Sequence, residues 1–170
     1  PSTFHSTSGR SNKGFNSLHT VSLYDLLSRR YLDVVIQPGR LKNEFAALCR
    51  MIDRYIYGGC PVFVADRGFA SYNVFAHALE KGSFFAIRTR DVNIKRLLAA
   101  DSLPVCLDRW TDVILTRSNA RKKRLHPELG ALYRCICKAV PFDFITDSCP
   151  EYHMRLRVVR FRIAEGVYEN

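Results

Sequence analysis

The chain has 170 residues, 47% hydrophobic and 25% charged, which is enough apolar material for one ordinary domain and too much for a disordered one. No apolar run approaches the roughly 18 residues of a membrane-spanning helix, and the serine-rich opening has no signal-peptide pattern, so a soluble cytoplasmic protein is expected. The 26 Lys and Arg against 16 Asp and Glu leave a charge of +10, which favours a polyanion as partner because neutralised phosphates release counterions.

Residues 11–16 are polar around Gly14 and suit a loop or strand entry. Residues 18–27 favour a strand, with Val21 and Leu23 on one phase and Tyr24 and Leu26 on the other. Ser28 to Arg30 turns the chain, and the β-branched run 31–37 ends at Pro38-Gly39, so an antiparallel hairpin is predicted. The period then changes: Leu41, Phe45, Leu48, Cys49, Ile52, Tyr55 and Ile56 mark one face of a helix over 41–57, stopped by Gly58-Gly59. Residues 61–65 (PVFVA) are apolar on both phases, as in a central strand covered on both sides. A second helix over 71–81 turns Val74, Phe75, Ala78 and Leu79 inward, and 84–88 (FFAIR) form another strand. This order predicts a mixed α/β sheet with flanking helices.

Beyond Asp91 the pattern is weaker. It gives a short helix over 93–100, strands over 110–116, 132–140 and 154–163, and a basic turn over 117–124 (RSNARKKR). The division predicted is an α/β core over 1–91 and a β-rich insertion region over 92–170.

Asp66 is the sharpest chemical feature. It follows a buried strand, and ligand sites in open α/β sheets gather where strands end at their carboxyl edge. A carboxylate held there suits a hard metal ion, and Gly68 allows a sharp turn into the next helix. A plain structural role, capping that helix or pairing with Arg67, is the alternative. The six cysteines contain no Cys-x-x-Cys pair, and Cys49 and Cys137 sit among apolar residues, so reduced structural thiols are expected. The five histidines show no zinc spacing, and no phosphate-binding loop, dinucleotide fingerprint or serine-hydrolase motif is present.

The segment VFVADRGFASYNVF closely resembles the surroundings of the second catalytic aspartate in insertion-sequence DDE transposases with a ribonuclease-H-like fold. SNKGFNSLHTVSLYDLLSRRYLDVVIQPG and YHMRLRVVRFRIAEGVYEN also look like family sequence, so the resemblance covers most of the chain. It implies a ribonuclease-H-like core with a β-strand insertion, incomplete at both ends. It further implies metal-dependent DNA cleavage and strand transfer with two Mg2+ or Mn2+ ions, held between two Asp and one Glu. Transposon ends and target DNA are the implied partners, a homodimer the implied assembly of the full-length protein, and the bacterial nucleoid the implied location. Asp66 takes the second-Asp position. No acid precedes Asp25, which is the obvious substitute for the first Asp, and salt bridging with Arg29 or Arg30 is its other reading. Tyr152 and Arg155 match half of the family's Tyr-x-x-Arg-x-x-x-Glu helix pattern, but Val159 stands where Glu belongs. The chain alone is therefore expected to be inactive.

For DNA contact the candidates are Arg88 and Arg90 near the site, Arg121, Lys122, Lys123 and Arg124 in the basic run that opens at Arg117, and Arg155 and Arg157. A β-bulge at Val158-Val159 would bring Arg160 and Arg162 onto the face of the last pair. Two competing readings remain. One is a remnant that binds DNA or a complete transposase without chemistry; the other is a ribonuclease-H-like nuclease unrelated to transposition.

Overall fold

The structure is a computed structural model that describes residues 5–8, 11–165 and 167–169, with the backbone alone at 6–8, 11–13 and 119. The opening residues 1–4 lie outside it. Strands β1 (His5–Ser8) and β2 (Ser11–Asn16) pair antiparallel, so 11–16 form a strand rather than a loop. The predicted hairpin is β3 (Leu18–Asp25) and β4 (Arg30–Pro38), with Val21 opposite Val35 on the buried face. Its turn places Arg29 at φ 57° and is tied by Asp25, whose carboxylate accepts from the Leu27 and Ser28 amides at 3.0 and 3.3 Å. The Ser28 hydroxyl donates to the same carboxylate and, with those amides, lowers its pKa. Asp25 is thus committed to the turn rather than to Arg29 or Arg30.

Helix α1 (Glu44–Arg54) is shorter than its apolar period. Asn43 caps it by accepting from the Ala46 amide at 3.0 Å, while Leu41 falls in a preceding 3-10 turn. Tyr55 is already extended, ahead of Gly58 and Gly59 at φ 76° and 71°. Strands β5 (Val62–Ala65) and β6 (Phe84–Ile87) pair in parallel and are joined through α2 (Tyr72–Glu80), capped by Ser71. Contrary to the apolar run, β5 is covered on one face only. Phe63 is buried against α1 and α2, whereas Val62 is 56% and Val64 68% exposed. Val34, Ile36 and Phe84 are exposed as well.

The second half contains α3 (Asp91–Leu98), β7 (Leu107–Thr116), α4 (Asn119–Leu125), β8 (Tyr133–Cys135), β9 (Glu151–Ala164) and β10 (Val167–Glu169). Its four strands form one sheet in the order β10-β9-β7-β8, with β8 parallel to β7. Three expectations change here. The basic run 117–124 is largely the helix α4, built from the good helix formers Ala, Arg and Lys. The strand predicted over 132–140 shrinks to three residues, and Cys137 is exposed. No bulge interrupts β9 at Val158-Val159; the register against β7 runs unbroken from Arg160 to Glu151. Among the described residues no helix is long and apolar enough to cross a membrane.

Two cores meet on α2. Val74 and Ala78 join Val21, Val35, Ile52 and Phe63, whereas Ala76 joins Ile94, Val113, Leu115 and Leu156. Asn73 and His77, one helical turn apart, bind the same loop: Asn73 Nδ2 donates to Asp143 Oδ2 at 2.9 Å and the Asp143 amide donates to Asn73 Oδ1 at 3.0 Å. His77 Nε2 lies 2.9 Å from Asp143 Oδ2, and Nδ1 lies 2.7 Å from Asp53 Oδ1 on α1. Ionised carboxylates only accept, so both contacts are hydrogen bonds only when both ring nitrogens donate, which favours the imidazolium form. Burial opposes that charge, but the hydrogen bonds to Asp53 and then Asp143 outweigh it and raise the His77 pKa. Asn73, followed by His77, holds the Asp143 pKa low.

A His whose pKa rises on folding stabilises fully below its ordinary value of about 6.5, and that contribution fades as pH climbs through the folded value. The melting temperature is therefore expected to fall as pH rises above about 6.5, through the raised folded value. The exposed Asp143→Asn change is expected to cost about 1 kcal/mol, or about 2–4 °C, and to flatten that slope. Thermal melts in matched buffers across the neutral range check both.

Candidate metal centre

Asp66 lies directly after β5, where the parallel pair ends, and is exposed. Its extended backbone (φ −78°, ψ 176°) leads into the 3-10 turn Arg67–Phe69. Asp66 Oδ1 accepts from the Gly68 amide at 2.8 Å, so the capping role weighed against a metal role is present in the geometry. That bond occupies one oxygen and leaves the other carboxylate oxygen for a ligand.

A cleft of about 330 Å3 opens beside it, lined by His19, Thr20, Val21, Ser22, Glu44, Asp66, Gly68 and Phe69. Successive residues of a strand point to opposite faces, so a cavity touching four in a row runs along the strand's edge. Among the described residues β3 pairs only with β4 and β5 only with β6, which leaves that edge unpaired. Glu44, in the first turn of α1, turns Oε1 to His19 Nε2 at 3.0 Å. The position a Cβ would take on Gly68 lies 3.0 Å from Asp66 Oδ1 and 3.9 Å from Glu44 Oε2. The bare glycine thus keeps a cradle open between two carboxylates.

Glu44 and His19 were not singled out from the sequence. They are 25 residues apart, and the only local signal was an acid in a helix's first turn. Asp25 does not line the cleft. Among the described residues no three or more His, Cys, Asp or Glu are placed to hold a metal ion. The donors at hand are nevertheless hard oxygens, which suit Mg2+ or Mn2+; Mg2+ commonly takes one or two protein carboxylates and keeps several waters.

The basic candidates divide. Arg88 forms a two-pronged ion pair with Glu169, and Arg157 another with Asp108 at 2.8 and 2.6 Å. Lys122 sits 2.5 Å from Glu151. Arg155 lies over the Trp110 ring at 5.4 Å and 3.8 Å from Asp112. Arg160 is buried and bonds Asp91 at 2.7 Å, on the face opposite Arg155 and Arg157. Arg117 donates to the carbonyls of Cys137 and Val140. Arg90, Arg121, Lys123 and Arg124 are exposed. Tyr152 and Arg155 stand on strand β9, so they are not the family's helix motif.

No curated protein and no solved structure matches the chain. A family model, the transposase DDE domain, matches residues 2–139. With a mixed α/β fold and Asp66 at a strand's carboxyl end inside that match, the chain belongs to the transposase DDE domain family.

Proposed function

We propose that this chain is the central part of an insertion-sequence transposase catalytic domain, acting on transposon ends and target DNA. Residues 1–91 are read as the ribonuclease-H-like core and 92–170 as the β-rich insertion. The observation that carries the reading is the exposed Asp66 carboxylate at the end of β5, beside a cleft along an edge of β3 that is unpaired among the described residues. Asp66 would hold one of two Mg2+ or Mn2+ ions, which when bound activate a water or 3′-hydroxyl and stabilise the departing oxygen. The cleft suits a further strand bearing the family's first Asp. The bare apolar face of Val34, Ile36, Val62, Val64 and Phe84 suits a helix bearing its Glu. Both would come from elsewhere in the complete polypeptide, as would the contacts of a homodimer on the nucleoid.

The competing remnant reading rests on Asp66 being the one residue here that matches the family triad. A protein extended in both directions separates the two. It is expected to cleave and join transposon ends with Mg2+ or Mn2+, while the 170-residue chain does neither. Asp66→Asn preserves the cap and is expected to abolish that activity, with stability within about 0.5 kcal/mol of the parent. Asp66→Ala is expected to cost about 1 kcal/mol as well, through the lost cap. An active Asp66→Asn protein contradicts the assignment.

For DNA, α4 leads among the candidates because Arg121, Lys123 and Arg124 are exposed and form no ion pair among the described residues, whereas Lys122 is held by Glu151. Binding is expected to be sequence-tolerant and to weaken steeply with salt. Replacing those three with Ala should lower the slope of log K against log salt by about 2–3. An unchanged slope would move the contact surface to Arg90, Arg155 and Arg157.

A further inference from the structure

We propose that Glu44 is a second metal-binding carboxylate, sharing one Mg2+ or Mn2+ with Asp66 across the Gly68 cradle, and that His19 positions it. The proposal rests on the reading of Asp66 as a metal-binding carboxylate and adds a residue from a different element, α1.

Three observations converge on it. Glu44 uses only Oε1 toward His19, and its Oε2 lies 3.9 Å from the position a Gly68 Cβ would take. A side chain at position 68 would enter that space, since even a Cβ would stand 3.0 Å from Asp66 Oδ1. The helix dipole explains why an acid is favourable at the start of α1, but it does not require the side chain to lean over Gly68. The third is His19, whose Nδ1 is buried with no hydrogen-bond partner among the described residues. A ring bonded only through Nε2 serves one acceptor, and that acceptor is Glu44. Two carboxylates brought toward one point repel each other until a cation lies between them. Two protein oxygens with waters completing the shell are an ordinary Mg2+ site, and a cleft of about 330 Å3 has room for those waters. His19 stands behind the ligand as an orienting partner, where a lost hydrogen bond weakens metal affinity without removing a ligand.

The test is Mn2+ binding to the 170-residue chain, followed by electron paramagnetic resonance and by paramagnetic broadening of amide NMR signals. The parent chain is expected to bind Mn2+ and to lose the amide signals of Phe45, Gly68 and Thr20 first. Glu44→Gln and Asp66→Asn are each expected to weaken binding at least about tenfold, and His19→Ala by about tenfold. His19→Gln, whose amide still donates to Glu44, is expected to restore most of the His19→Ala loss. If Asp66→Asn abolishes binding and Glu44→Gln leaves it unchanged, the Glu44 proposal is overturned while the Asp66 reading stands. If both variants bind like the parent, both fall. Broadening in the parent chain that spares Phe45 and Gly68 overturns the site without recourse to any variant.

Discussion

Helix α2 is buried on two sides, and the placement of everything around Asp66 depends on that. Its Val74 and Ala78 close the core beneath the β3–β4 hairpin, and its Ala76 closes the core beneath the four-stranded sheet. Ala76 and Ala78 are wholly buried, so neither wall leaves space for a larger side chain. A helix in that position cannot leave polar groups unsatisfied. Asn73 and His77 meet the requirement together by binding Asp143, and His77 also reaches Asp53 on α1. Phe75 stacks on Phe85 of β6 with ring centroids 4.8 Å apart, which holds the helix against the parallel pair.

Because α2 begins shortly after the Asp66 turn, the backbone that carries the carboxylate is anchored to a packed helix. The chain leaves β5, makes one 3-10 turn closed by Asp66 itself, and enters α2 at the Ser71 cap. Both ends of the turn are anchored in packed elements, while the side chain is exposed. A carboxylate fixed by its backbone and open to solvent meets the requirements of a preorganised metal ligand. Glu44 reaches the same space from the start of α1, which packs against α2 in the same core.

Much of this was legible in the sequence, for identifiable reasons. The helical periods of α1 and α2, the hairpin and the strand-to-Asp66 junction are local patterns, and the structure places each within a few residues. The bare face of β5 was not legible, since an apolar run such as PVFVA reads the same whether one face or two are covered. Nor was α4, whose basic sequence lacks an apolar stripe; its Lys122 pairs with Glu151 on β9. The arginines of β9 alternate with the strand, so Arg155 and Arg157 face outward while Arg160 turns inward to Asp91. His19 and Glu44 come together only when β3 packs on α1, and no local pattern announces that contact.

The metal-binding role proposed for Asp66 is tested most directly by Mn2+ soaked into crystals of the chain and located by anomalous diffraction. The account predicts an anomalous peak within about 2.1 Å of an Asp66 carboxylate oxygen, with waters completing the shell. A map in which Asp66 still caps the Gly68 amide and Mn2+ binds only elsewhere would contradict it.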